Sequence, residues 1–82
     1  VNGNFNGVQL HKITSLKIQN HTPGFTHTSF RVIEESRPDL EHVLELGTPA
    51  LLILADKIIE GRIVSYKADL HFGYEITIET KK

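Results

Sequence analysis

Eighty-two residues with 39% hydrophobic and 23% charged side chains, and no cysteine, methionine or tryptophan, fit one small globular domain that holds without disulfides. A chain this short buries only about 60% of its unfolded surface, so nearly every apolar residue is needed for packing, which argues against an elaborate active site and hence against an enzyme. Nine Lys and Arg against ten Asp and Glu leave a net charge of −1 and exclude the basic footprint of a nucleic-acid or membrane-surface binder.

The first seven residues hold three Asn and two Gly and offer little to bury, so 1–7 reads as a flexible N-terminal arm ahead of a single β-barrel domain, 8–82. The arm has neither the basic nor the apolar region of a signal peptide, and its missing initiator Met points to trimming or an excised domain. From Val8 the pattern is β-like, with Leu16 and Ile18 on one face and Lys17 and Gln19 on the other. Asn20 to Gly24 is turn chemistry, and a second strand follows in which Thr28, Phe30 and Val32 alternate with His27, Ser29 and Arg31. Phe25 is out of phase with Phe30, which sends it toward the surface as a rim contact or a barrel plug.

At Ser36-Arg37-Pro38-Asp39 the period changes: Ser36 can cap a helix, Pro38 suits its first turn and Asp39 its positive end. Leu40, Val43 and Leu44 then form one apolar stripe over about two turns, and Gly47 can end the helix in a left-handed conformation. Pro49 to Ala55 is apolar on both faces and reads as a central strand; at seven residues it falls far short of the roughly 20 needed to span a bilayer. Asp56-Lys57 is the expected turn into a strand from Ile58 to Tyr66, bent or bulged at Gly61, with Lys67 to His71 as the next connection. The closing strand places Phe72, Tyr74, Ile76 and Ile78 inward. The resulting fold is mainly β, a small, partly open β-barrel of order ββαβββ with one short helix, and Leu52, Ile53, Ile63, Tyr74 and Ile76 are the expected core.

Chemistry-bearing motifs are sparse. Five histidines show no HxH or HExxH spacing and there is no CxxC, so no metal site is expected. Ser15, Ser29, Ser36 and Ser65 lack a nucleophile elbow, no phosphate-binding glycine loop is present, and the acidic residues gathered around Asp39 are explained by the helix dipole and solvation. No catalytic residue and no cofactor is therefore assigned, and zero cysteine fits a reducing compartment.

Phe30-Arg31-Val32-Ile33, the short helix Leu40 to Leu46, the segment Leu46-Gly47-Thr48-Pro49-Ala50-Leu51-Leu52-Ile53-Leu54, then Ile59-Glu60-Gly61-Arg62-Ile63-Val64 and Tyr74-Glu75-Ile76-Thr77-Ile78 occur in the order of a known barrel. Over roughly residues 13–79 the chain resembles the first β-barrel domain of phage tail baseplate hub proteins, the late control type, and of type VI secretion spike proteins. The resemblance implies a non-catalytic structural module, with partners among other tail or injection-apparatus proteins and with its own copies, cytoplasmic before assembly and then part of a virion or injection particle. Phe5, Val8 and Phe25 are the expected interface residues, Phe5 on the arm and Val8 just beyond it, in a segment that orders against a neighbouring subunit. The same centre also resembles PilZ-like cyclic-dinucleotide barrels, but without their RxxxR arginine pair, and Sm-like RNA-binding barrels, but without a basic patch.

Overall fold

The computed structural model describes residues 2–34, 37–69 and 73–81, and only the backbone of residues 21, 22 and 69. Eight elements follow in order: β1 (Gly3–Phe5), β2 (Val8–Leu10), β3 (Ile13–Thr22), β4 (Phe25–Val32), α1 (Pro38–Glu41), β5 (Pro49–Leu54), β6 (Ile58–Asp69) and β7 (Gly73–Lys81). All neighbouring strands are antiparallel and form one sheet in the order β2-β1-β5-β6-β7-β4-β3. The sheet curls but does not close, so the mainly β, partly open barrel with one short helix is the observed architecture.

The N-terminal segment is not the expected flexible arm. Asn6 and Gly7 both take left-handed angles, φ 50° and 89°, and turn the chain so that Phe5 pairs with Val8, the two-residue hairpin geometry that Asn-Gly favours. β1 then pairs with β5, and the Asn6 side chain accepts the Leu51 N–H at 2.7 Å and donates to the Pro49 carbonyl at 3.1 Å. Phe5 is fully buried and its ring lies 5.7 Å from that of Phe30 at a tilt of 58°, within the favourable range for aromatic pairs. Two strands are thereby added to the five expected.

β3 owes its phase to a bulge. Ser15, with φ 54°, and Leu16 stand together opposite Phe30, because the register against β4 shifts between Thr14 and Lys17. Ile13 and Ile18, five residues apart, therefore face inward opposite Val32 and Thr28. Leu16 packs partly against the core, but Ile18 is 52% exposed: it holds the expected face without the expected burial.

β5 alternates as well, contrary to an all-buried strand. Ala50, Leu52 and Leu54 point into the core, while Ile53 is 40% exposed on the outer face of a sheet that no second layer covers there among the described residues. β6 runs beyond Tyr66, because Lys67, Ala68 and Asp69 pair with Glu75, Tyr74 and Gly73; most of the expected connection is strand. The irregularity in β6 falls at Val64, where the register against β7 shifts between Ile63 and Ser65, and not at Gly61; what Gly61 serves is close approach. A Cβ there would overlap the Glu79 carbonyl, so only glycine lets β7 lie this close to β6.

The helix is a single turn, because Val43 and Leu44 bond three residues back, to Leu40 and Glu41, which tightens the chain out of the α-helix. Its stripe is placed as expected, with Leu40 and Leu44 buried and Val43 beside them; Gly47 is left-handed at φ 82° but does not end the helix, which stops at Glu41. Arg37 occupies the cap position without a side-chain bond to the helix's first N–H groups, while Ser36 lies outside the described residues, as does Phe72. Leu52, Ile63, Tyr74, Ile76 and Ile78 complete an interior in which no buried side-chain polar atom among the described residues lacks a partner.

Candidate interaction surface

The outward residues of β6, β7, β4 and β3 lie in cross-strand rows. Arg62, Glu79, His27 and Gln19 share one row, Ser65, Thr77, Ser29 and Lys17 the next, and Lys67, Glu75, Arg31 and Thr14 the third. Polar partners face each other within them: the His27 ring Nε2 and Glu79 Oε2 are hydrogen-bonded at 3.1 Å, Arg62 Nε lies 3.7 Å from Glu79 Oε1, and Arg31 Nε donates to Glu75 Oε2 at 3.0 Å. Between them Ser29 and Thr77 share a hydroxyl bond of 3.1 Å. Exposed pairs of this kind add little stability. What they supply is a polar, self-paired outer face.

A second cluster sits where the helix meets the barrel. Arg37 donates to Glu34 Oε2 at 2.8 Å, to both Asp39 oxygens at 3.0 and 2.9 Å, and to the Gln9 carbonyl of β2 at 2.8 Å. Its backbone N–H donates to the Tyr74 hydroxyl at 2.8 Å, which in turn donates to Glu41 at 3.2 Å. One guanidinium thus ties the segment before α1 to β2, and a buried phenol ties it to β7. The bond from Arg37 holds the Asp39 carboxyl below the usual carboxylate range, and the same bond raises Arg37. A lowered carboxyl stabilises the fold at pH values above its unfolded pKa, near ~4, and that contribution is lost as the pH falls through the folded value. Asp39→Asn is therefore expected to flatten the fall in thermal midpoint between about pH 4 and pH 2; parallel curves for the two proteins would contradict the coupling.

The sequence-expected interface residues separate. Phe5 and Val8 are core residues at 0% and 8% exposure, so neither is a contact for a neighbour; the hairpin turns both inward. Phe25 does lie on the outward side of β4, half-buried, where it lines a shallow groove with Gly61, Arg62, Glu79 and Lys81. Among the described residues no group of three His, Cys, Asp or Glu side chains gathers at metal-binding distance. His71 and the side chain of His21 lie outside them.

A barrel this short is expected from its sequence to close imperfectly and leave exposed strand edges for docking; which strands carry them, and the apolar side chains beside them, sequence reasoning missed. β3 ends the sheet on one side, and β6 beyond Ile63 has β7 on one flank and no strand on the other among the described residues. Ile18, Ile53, Ile58 and Tyr66 are 40–64% exposed on these strands and on β5. Ile53 and Ile58 form a cross-strand pair beside the β5–β6 turn. The missed signal was strand length: twelve residues in β6 against six in β5 leave half of β6 unpartnered on that flank. Compared with family models, with curated proteins and with solved structures, the chain matches none of them.

Proposed function

We propose that this chain is a non-catalytic assembly module of a phage tail baseplate or a contractile injection apparatus, in which neighbouring proteins add to its exposed strand edges. The observation that carries the reading is the unclosed sheet: β6 from Val64 to Asp69 offers backbone donors and acceptors on the flank away from β7, with Tyr66 40% exposed on the same stretch. Such an edge is a template for another strand, and a protein built for assembly can use it where a monomeric enzyme must blunt it. Phe25, facing outward beside Arg62, supplies an aromatic contact next to a cation, a combination enriched at protein interfaces. The apparatus is suggested by the sequence resemblance to the hub and spike barrels, carried by Phe30 to Ile33, Leu46 to Leu54, Ile59 to Val64 and Tyr74 to Ile78. Its place would be cytoplasmic before assembly and inside the particle afterwards.

A ligand-binding barrel is the second reading, favoured by a groove of about 530 Å³ over Gly61, between Asn6, Pro49, Leu51, Glu60, Thr80 and Lys81. Its lining has no arginine pair to grip phosphates in bidentate fashion. Two titrations separate the readings. Mixed with purified tail-tube and spike proteins, the chain is expected to form a complex visible as added mass in light scattering. Calorimetry with zinc and with a cyclic dinucleotide is expected to show no saturable site tighter than about millimolar, since among the described residues no metal-binding group gathers and no arginine pair lines the groove. A micromolar ligand site without any complex would overturn the assembly reading in favour of the barrel that binds.

A further inference from the structure

The two edges of the sheet are not equivalent. β2 is three residues long, the Arg37 guanidinium takes its Gln9 carbonyl, and just past it the Lys12 carbonyl accepts the Ile33 N–H. β3 is ten residues long, and no strand lies beyond it among the described residues. Its regular part is Lys17 to Asn20, bounded by register shifts on both sides. In that stretch Ile18 faces the core side opposite Thr28 and is still 52% exposed, because the sheet ends there and leaves the side chain half covered. A β-branched side chain on the inward face of a terminal strand is what one further strand would cover.

We propose that this strand is supplied by a second copy of the chain, β3 against β3, antiparallel about a two-fold axis at Ile18. In that register Ile18 meets Ile18 on the inward side and Lys17 stands opposite Gln19 twice, once on each side of the axis. The neighbouring registers fail on the same residues. A two-fold at Lys17 sets two ammonium groups directly opposite each other, a repulsion that such pairs pay in full. A two-fold at Gln19 puts Ile18 against Asn20 and leaves the aliphatic side chains apart. A one-residue slip brings Lys17 opposite Ile18 and throws the two faces out of phase. Lys17 and Ile18 together thus single out one of these registers, and the sheet continues across the axis as an isologous contact. This inference goes beyond the assembly role, because the partner is the chain itself and the dimer needs no apparatus protein.

Sedimentation or light scattering of the full chain, alone, tests it. The mass is expected to rise with concentration from 9.3 kDa toward twice that value. Gln19→Glu, which creates two Lys–Glu pairs across the axis, is expected to tighten the dimer, and Gln19→Lys to weaken it, each by about 3–10-fold in dissociation constant. Both variants change an exposed side chain, and circular dichroism checks that they remain folded. Ile18→Asp is expected to abolish the dimer. A mass of 9.3 kDa at every concentration would overturn the proposal, as would a dimer indifferent to the charge at position 19. A monomer whose Lys17–Asn20 edge is instead taken by a tube or spike protein would also overturn it, while leaving the assembly reading standing.

Discussion

Phe5→Ala is expected to lower the free energy of unfolding by about 3–5 kcal/mol, the range for removing a buried aromatic ring. The ring is fully buried and packs on Phe30, so it joins β1 to β4 across the interior. Truncation opens a cavity at the centre of the barrel, and little can collapse into it, because β1 is pinned to β5 by three register pairs and by the Asn6 side chain. In a domain whose total stability is about 5–15 kcal/mol, this is a large share. Chemical denaturation followed by circular dichroism measures it. A midpoint within error of the parent would mean that the N-terminal residues leave the barrel in solution and would restore the flexible-arm reading.

The second large effect is a contrast between neighbours. Leu52→Ala is expected to cost about 2–5 kcal/mol, and Ile53→Ala less than about 1 kcal/mol, although the two are adjacent in the same apolar run. Leu52 is fully buried opposite Ile59 and beside Phe5 in the register, whereas Ile53 is 40% exposed on the outer face opposite Ile58. Equal losses would mean that β5 is covered on both faces and that the sheet has a second layer. A larger loss at Ile53 would invert the register.

These two sites also mark where the sequence was legible and where it was not. Alternation in β4 and β7 identified Thr28, Phe30, Val32, Tyr74, Ile76 and Ile78 as inward, because each strand is long enough to show its period and has polar residues on the other face. Pro49 to Leu54 gave no period to read: with every residue apolar, only tertiary context decides that Ile53 faces out. The N-terminus failed for the opposite reason. Its Asn and Gly content resembles a linker, yet Asn6-Gly7 between Phe5 and Val8 is a strong local hairpin signal, and composition drowned it. The bulge at Ser15 explains the spacing of Ile13 and Ile18 only once the register is known, since a serine at φ 54° leaves no mark of its own in the chain. As for the interface, phase alone placed Phe25 on the outside and chain length alone implied open edges, whereas which strands stay open depends on how strands of unequal length line up.

The claim that neighbours dock on open strand edges is tested most directly by residue-resolved amide hydrogen exchange of the full chain, alone and mixed with purified tail-tube and spike proteins. The account predicts that amides from Val64 to Asp69 exchange quickly in the free chain wherever they face away from β7, and gain protection in the mixture while the core amides of β4 and β7 stay unchanged. Identical exchange on that stretch with and without every apparatus protein would contradict it.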